Sequence, residues 1–381
     1  MNAWTDTRVP YAAGFARENF SSVCEAFARN FEAEAELGAT FTVVIDGELV
    51  VDLRGGHSDR AKETPWAEDT LACIYSSGKA ALAFLIARAV SDGRLDYETP
   101  VAEYWPDFAA HGKGEITLAQ ALSHQAGLAG LPEDTPPNIY LDWDATCAVI
   151  ADMAPLWAPG TANGYHPQTF GFIAGEVLRR VTGKSVGALI REYAAPIDLQ
   201  IFCGMAPAEQ ARAAYMPKPP RAPDLGEINA YKQLAFLKPS SSPGKVARED
   251  WMAAEIPASN MHADARSLAM LLHPMANGGA GADGEPVLDR GVLADAFKER
   301  IRGDDLVLPF HLSWAAGLMR NINRHFGPNE NALGHAGFGG SCIVIDPERR
   351  MTCAYVMNKM SPHLVGDPRA VRLLEAAYEG V

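Results

Sequence analysis

Ser76 and Lys79 stand three residues apart, directly before a long apolar run at 80–90. If a helix begins near Ser76, this spacing places the hydroxyl and the amine on one helix face. A serine hydroxyl is a poor nucleophile until a base takes its proton, and a desolvated lysine amine can be that base. Because burial disfavours the ammonium form, a buried Lys79 would favour the reactive amine. The pair is therefore a candidate catalytic unit.

The Ser-x-x-Lys pattern is short, and the chain contains a second copy at Ser242 and Lys245. That copy lies in a proline- and glycine-rich loop with no apolar helix behind it, so we interpret it as coincidental. For the first copy, the alternative is a helix-capping serine followed by a solvated lysine. Other segments of the chain have to distinguish these interpretations.

Tyr165 lies in a segment, 157–166, whose Pro-Gly and Asn-Gly turns place it just before a helix predicted to begin around Gln168. A nearby lysine ammonium would favour the phenolate and so lower the pKa of the tyrosine. The side chain could then pass a proton between nucleophile and leaving group. The alternative is an interfacial tyrosine whose hydroxyl contacts water.

A glycine-rich segment, 334–341, contains His335, Gly337 and Phe338 and leads into a predicted strand. Glycines there let a substrate approach the backbone of an edge strand closely. A backbone N–H near Phe338 could pair with that of Ser76 as an oxyanion hole, worth roughly 10²–10³ in rate per donor. The alternative is a glycine-rich strand start with a surface histidine.

The elements that must position these residues come from both ends of the chain. We predict an amphipathic helix at 18–37, a hairpin turning at Asp46-Gly47, strands at 341–345 and 351–356, and a helix at 368–378. Between them the pattern is helical near 117–124, 144–153, 168–181, 185–194 and 263–276. This indicates an α/β (α+β) fold, in which an antiparallel sheet flanked by terminal helices carries an inserted all-α lobe.

We accordingly expect residues 1–70 and 305–381 to form the α/β domain and 71–304 the helical lobe. The lobe would include a proline-rich loop at 217–244, and the active site would lie in the cleft between the two units. Gly279–Gly284 matches G-x-G-x-x-G, but it follows a predicted helix rather than a strand, so we interpret it as a turn.

Composition limits the possible partners. The 381 residues are 48% hydrophobic and carry a net charge of −14, which argues against nucleic acid or an anionic membrane as partner. No apolar run is long enough for a membrane span, and the start shows no secretory signal, so we expect a cytoplasmic protein. The six cysteines lack a C-x-x-C pair and are predicted to be free thiols. We expect no metal and no cofactor, because the histidines show no ligand spacing.

Taken in order, the three segments resemble the serine β-lactamase and penicillin-binding-protein superfamily. More narrowly, the chain is similar to class C β-lactamase-like esterases, the family VIII carboxylesterases. The stretch 116–128 is similar to that group's TxxxLLxHxSGL pattern, and Trp157-x-Pro159-Gly160 and 258–262 fit it as well. The resemblance covers most of the chain and implies a β-lactamase/transpeptidase-like fold.

The resemblance also implies roles for individual residues. Ser76 would be the acylated nucleophile, Lys79 its proton acceptor and Tyr165 the third member of the triad. The third motif would contribute His335 and Gly337, and the N–H groups of Ser76 and Phe338 would form the oxyanion hole.

Two departures from the family pattern bear on the substrate. His166-Pro167 follows the tyrosine where β-lactamases of this class have serine and asparagine, and His335-Ala336-Gly337 replaces Lys-Thr-Gly. A neutral imidazole holds a carboxylate less well than an ammonium does. We therefore expect a serine carboxylesterase acting on small short-chain acyl esters, with weak β-lactam hydrolysis at most.

Alternatives remain open from the sequence. The same residues would serve a β-lactamase, a D-amino-acid peptidase or amidase, or an acyltransferase, and the fold would also suit a non-catalytic ligand-binding module. The oligomeric state, the natural ester, and the division of proton transfer between Lys79 and Tyr165 stay undetermined.

Overall fold

The computed structural model describes residues 3–381, whose strands form one large and one small antiparallel sheet. In chain order the strands are β1 (Ala13–Ala16), β2 (Gly38–Ile45), β3 (Glu48–Gly56), β4 (Ala72–Cys73), β5 (Ile201–Phe202), β6 (His262–Ala263), β7 (Ile301–Asp304), β8 (His311–Trp314), β9 (Met319–Arg320), β10 (Leu333–Ala336), β11 (Cys342–Asp346) and β12 (Met351–Met357). The large sheet has the order β1-β3-β2-β12-β11-β10-β9-β8-β7, and the small one β4-β6-β5.

Helices occupy most of the chain between the strands. They are α1 (Ser21–Glu32), α2 (Gly78–Ser91), α3 (Val101–Tyr104), α4 (Leu118–Leu122), α5 (Trp143–Asp152), α6 (Thr169–Thr182), α7 (Val186–Ala194), α8 (Pro207–Gln210), α9 (Ala230–Lys232), α10 (Arg248–Ala253), α11 (Ala265–Ala276), α12 (Arg290–Phe297) and α13 (Pro368–Glu379). The predicted mixed fold, with an antiparallel sheet built from both chain ends, is confirmed.

The centre of the large sheet joins the two ends of the chain. Asp46 and Gly47 both have positive φ, 52° and 82°, as a two-residue hairpin turn between β2 and β3 requires. Strand β2 then pairs with β12 over its whole length, with Ile45 opposite Met351. The hairpin predicted at Asp46-Gly47 is confirmed.

Each face of this sheet has its own core. Helices α1 and α13 cover one face and pack with side chains such as Phe41 and Tyr355. Helices α2 and α11 cover the other and pack with side chains such as Val44 and Val356. Helix α2 is apolar and buried almost all round, so its amino-terminal end lies inside the protein.

The predicted helices at 117–124, 144–153, 168–181, 185–194 and 263–276 correspond to α4, α5, α6, α7 and α11. The short strands β1, β4–β6 and β7–β10 were not predicted. Strand β7 belongs to the large sheet although it precedes the predicted boundary at 304/305, and the division into two units stays a prediction. The segment 217–244 is mostly loop, with α9 and a π-helical turn at Gln233–Leu237.

Smaller predictions can be compared with residues 3–381 as well. The stretch Gly279–Gly284 forms a turn after α11, as expected. The six cysteines are free thiols, five buried and one half-buried. None of the helices in this range combines the length and apolar character that crossing a bilayer requires.

Candidate active site

Ser76 lies in a 3₁₀ turn, Tyr75–Ser77, that runs directly into α2. Tyr75 has a left-handed φ of 45°, and the N–H of Ile74 donates to the carbonyl of Met261 at 2.9 Å. One turn later, Nζ of Lys79 lies 2.9 Å from Oγ of Ser76. Lys79 is fully buried, and neither helical segment has a side-chain cap at its start. The alternative of a capping serine and a solvated lysine is therefore wrong.

The surroundings of Lys79 favour a neutral amine. Nζ donates to two backbone carbonyls, of Pro167 at 2.9 Å and of Ala258 at 3.1 Å. Burial holds the pKa of Lys79 well below its ordinary value of 10.5. A neutral amine has two N–H groups and one lone pair, and the two carbonyls can only accept. The lone pair is left for Oγ of Ser76, so Lys79 can take the hydroxyl proton.

Tyr165 lies against this amine, with Nζ of Lys79 4.8 Å from the centroid of its ring. The side chain is buried, so the alternative of a water-facing interfacial tyrosine is wrong. Burial raises its pKa well above the ordinary value of 10, and an interaction with Ser76 offsets this only in part. The expected shift towards the phenolate is also wrong, because burial of the tyrosine itself raises its pKa. Tyr165 is thus a phenol that can donate a proton.

Asp305 fixes the backbone at Tyr165. Its Oδ1 accepts from the N–H of Tyr165 at 2.9 Å, and its Oδ2 accepts from Nδ2 of Asn163 at 2.9 Å. The carboxylate also accepts the N–H groups of Val307 and Leu308, in the loop between β7 and β8. One buried carboxylate therefore ties the tyrosine turn to the edge of the large sheet.

His124 holds the same turn from the helical side. Its carbonyl accepts from the N–H of Gly164 at 3.0 Å, and its Nδ1 accepts from the N–H of His166 at 3.1 Å. These bonds bracket Tyr165, whose ring centroid lies 4.8 Å from that of His124. Burial lowers the pKa of His124 well below 6.5, so the ring is neutral. Only one sequence signal points to this residue, namely its place in the stretch 116–128.

The two residues after the tyrosine have different roles. His166 is buried; its Nε2 accepts from the N–H of Leu128 at 2.9 Å and its Nδ1 lies 2.6 Å from the carbonyl of Gly164. Burial lowers its pKa to about 3. His166 thus braces loops rather than facing a ligand, whereas Pro167 presents its backbone carbonyl to Lys79.

The turn from β10 to β11 lies against the nucleophile turn. A Cβ on Gly337 would lie 2.2 Å from both the Ile74 carbonyl oxygen and Oγ of Ser341, so only glycine fits. Oγ of Ser341 donates to that carbonyl at 2.8 Å and lies 3.1 Å from Oγ of Ser77. These contacts bring the segment 337–341 and the start of α2 together.

Two backbone N–H groups, of Phe338 and Ser76, are candidates for binding a developing oxyanion. That of Phe338 has no acceptor within residues 3–381, and its ring packs edge-on against Tyr75, with 5.7 Å between centroids. Ser76 lies in the first turn of a helical segment, where N–H groups lack an intrahelical acceptor. The pair has the chemistry of an oxyanion hole.

His335 is buried in β10 and is not a surface histidine. Its Nδ1 lies 2.9 Å from the carbonyl of Ala336, which can only accept, so Nδ1 carries the hydrogen. Its Nε2 is then an acceptor, without a partner in the described part of the chain. Burial lowers the pKa of His335 to about 3. The position therefore supplies no cation.

The second Ser-x-x-Lys copy shows none of these features. Ser242 and Lys245 are exposed in the loop before α10. Across residues 3–381, no group of three or more histidine, cysteine or acidic side chains is arranged to hold a metal ion.

Comparison with known proteins places this site in a family. The Beta-lactamase family model matches residues 27–378. The esterase/beta-lactamase LipL of Mycobacterium tuberculosis is 34% identical over 373 residues, covering 92% of this chain and 84% of that relative. A penicillin-binding protein homolog from Caulobacter crescentus is 47% identical, with a TM-score of 0.94 over 99% of this chain and 100% of that one.

The structure of a family VIII carboxylesterase is 38% identical, with a TM-score of 0.91 over 97% of this chain and 100% of that one. The resemblance noted from the three sequence segments is thereby confirmed. This chain belongs to the beta-lactamase family.

Proposed function

We propose that this protein is a serine carboxylesterase that hydrolyses short-chain acyl esters through an acyl-enzyme on Ser76. The observation that carries the proposal is the geometry at Lys79: Nζ lies 2.9 Å from Oγ of Ser76 and contacts two carbonyls that can only accept, so the lone pair of a neutral amine would be left for the hydroxyl. Related proteins described as esterases support the reaction class.

In the first half-reaction, Oγ of Ser76 attacks the ester carbonyl carbon as its proton passes to Nζ of Lys79. The carbonyl oxygen becomes an oxyanion that accepts from the N–H groups of Ser76 and Phe338. The C–O bond to the alcohol then breaks. Tyr165 donates its proton to the departing oxygen and regains one from Lys79, which returns to the neutral amine.

In the second half-reaction, a water molecule attacks the acyl carbonyl and gives up a proton to the Lys79 and Tyr165 pair. The oxyanion collapses and breaks the bond to Oγ of Ser76. The serine regains its proton, and the carboxylic acid leaves. The site therefore returns to its starting protonation state without a metal or cofactor in the scheme.

The proposal favours esters over β-lactams because of residues 335 and 167. A β-lactam or D-peptide carries a carboxylate, and the neutral His335 offers it no cation. Pro167 has no side-chain amide to hold an acylamino group. Slow β-lactam hydrolysis is the second candidate, since one relative is described as an esterase/beta-lactamase. The cytoplasmic location stays a prediction.

The test compares the wild-type protein with Ser76→Ala and with Ser242→Ala, the matched change in the exposed copy. Each is assayed on p-nitrophenyl acetate, p-nitrophenyl butyrate and nitrocefin, and the acyl adduct is sought by mass spectrometry. We expect ester turnover that Ser76→Ala abolishes and Ser242→Ala preserves. Nitrocefin turnover equal to or faster than ester turnover would favour a β-lactamase, and unaltered activity in Ser76→Ala would refute the proposal.

A further inference from the structure

The turn that carries Phe338 is held in place from the side opposite the active site. Gly339 and Gly340 have φ values of 98° and 124°, a region that glycine alone adopts readily. The carbonyl of Gly339 accepts from Nη2 of Arg369 at 3.0 Å and from the N–H of Ser361 at 2.9 Å. The turn has two hydrogen bonds of its own, from the N–H of Gly337 to the carbonyl of Ser341 at 2.7 Å and from the N–H of Gly340 to the carbonyl of Gly337 at 3.1 Å, and these two external donors hold it against the rest of the protein.

Arg369 is itself fixed on every side and is buried at the start of α13. Its Nε and Nη2 donate to the two oxygens of Asp367, at 3.0 and 2.8 Å. Its Nη1 donates to the carbonyl of Lys359 at 2.8 Å and to Oε2 of Glu36 at 3.1 Å. A guanidinium with all its donors used has one position, and it transmits that position to the Gly339 carbonyl.

The contact between this cluster and the turn is close. A Cβ on Gly340 would lie 2.4 Å from Oδ2 of Asp367 and 2.6 Å from Nη2 of Arg369. Asp367 also caps α13 by accepting from the N–H of Arg369 at 2.9 Å, and it accepts from Oγ of Ser361 at 2.5 Å. The Asp367 side chain therefore contacts the turn, the 359–361 loop and the start of α13.

We propose that Arg369 is a positioning residue for ester hydrolysis: by holding the Gly339 carbonyl it fixes the 337–341 turn, and so the position of the Phe338 N–H two peptide planes earlier in that turn, for the oxyanion hole. This inference rests on the function proposed above. Lysine cannot replace the arginine here, because an ammonium has three donors on one nitrogen, whereas the guanidinium bonds to five groups: Asp367, Glu36 and the carbonyls of Gly339, Lys359 and Ala35.

The test uses Arg369→Lys, with Arg372→Lys as the control on the same helix. Arg372 bonds to Asn30 and does not contact the turn. We expect Arg369→Lys to lower kcat on p-nitrophenyl butyrate about 10- to 100-fold with little change in KM, since a displaced donor weakens transition-state stabilisation. In an acyl-enzyme made with a slowly hydrolysed cinnamoyl ester, the carbonyl stretch should move to higher wavenumber, and Arg372→Lys should change neither quantity.

A kcat and a carbonyl stretch like those of the wild type in Arg369→Lys would overturn the positioning role. An equal loss of kcat in Arg372→Lys would also overturn it. If Arg369→Lys does not fold, Asp367→Asn is the second variant, because it weakens the Arg369–Asp367 contact without changing the size of the side chain. It should move the acyl-enzyme carbonyl stretch to higher wavenumber as well, and an unshifted stretch would refute the inference. A wild-type protein that forms no acyl-enzyme would instead refute the proposed function, so the two failures are distinguishable.

Discussion

Replacing Gly337 with alanine tests how closely the third motif must approach the nucleophile turn. The residue does not have a positive φ, so alanine brings no backbone penalty and acts only through its methyl group. That methyl carbon would lie 2.2 Å from the carbonyl oxygen of Ile74 and from Oγ of Ser341, whereas ordinary van der Waals contact begins at 3.4 Å. The Ile74 oxygen is backbone and cannot rotate away, so the turn must move.

The size of the effect follows from that displacement. Moving a catalytic group by about 1 Å can cost about 10² in rate, and losing one oxyanion donor costs about 10²–10³. We therefore expect Gly337→Ala to lower kcat/KM on p-nitrophenyl butyrate about 100-fold, mainly through kcat. Overpacking of this kind also destabilises a protein by about 1–3 kcal/mol, measurable by urea unfolding.

Gly114→Ala is the matched control. The nearest atom to its added methyl carbon would be 3.8 Å away, and its φ is not positive either. We expect its stability to change by no more than about 0.5 kcal/mol and its activity to stay unchanged. A Gly337→Ala protein whose kcat/KM stays within about threefold of the wild type would refute the reasoning, since the loss predicted from transition-state stabilisation is far larger.

Three further substitutions address the proton path and the substrate. Lys79→Met should be inactive but more stable to urea than the wild type. Burial holds the folded pKa of Lys79 below the unfolded value of 10.5, so between these two values the unfolded wild-type chain binds more protons, and wild-type stability falls as the pH falls. The stability advantage of Lys79→Met should therefore grow as the pH falls through that window, and an advantage independent of pH would contradict this account. Tyr165→Phe should lower kcat/KM, which reports acylation rather than the deacylation that both butyrate esters share, about 10²–10⁴-fold on ethyl butyrate but far less on p-nitrophenyl butyrate, whose leaving group needs no proton. Equal losses of kcat/KM on both esters would exclude proton donation to the leaving group by Tyr165. His335→Lys should raise nitrocefin turnover relative to ester turnover about tenfold or more, since a charge-assisted hydrogen bond contributes about 1.5–3 kcal/mol, and an unchanged ratio would exclude residue 335 as a carboxylate contact.

The sequence was sufficient for features that depend on local spacing. Ser76 and Lys79 come together because they are spaced i, i+3 at the start of a helix, and the β2–β3 hairpin forms because Asp46-Gly47 accepts positive φ. The short strands β7–β10 have too few residues for a clear alternation, which explains why they were not predicted.

The remainder of the site depends on the tertiary structure. Nζ of Lys79 donates to the backbone carbonyls of Pro167 and Ala258. These contacts could not be predicted from the sequence, because every residue type has a backbone carbonyl. The protonation state of Tyr165 could not be predicted either, because it follows from the burial of two side chains that are far apart in the chain.

The pairing of β2 with β12 has a consequence for how the protein is made. The ribosome releases β2 about 300 residues before β12, so the middle of the large sheet cannot close until β12 has emerged. The segment carrying His335 and Phe338 emerges just before β12, and α13, which anchors it, emerges after β12. Pairings this distant in sequence are slow to form. A nascent chain would thus carry Ser76 and Lys79 long before it could use them.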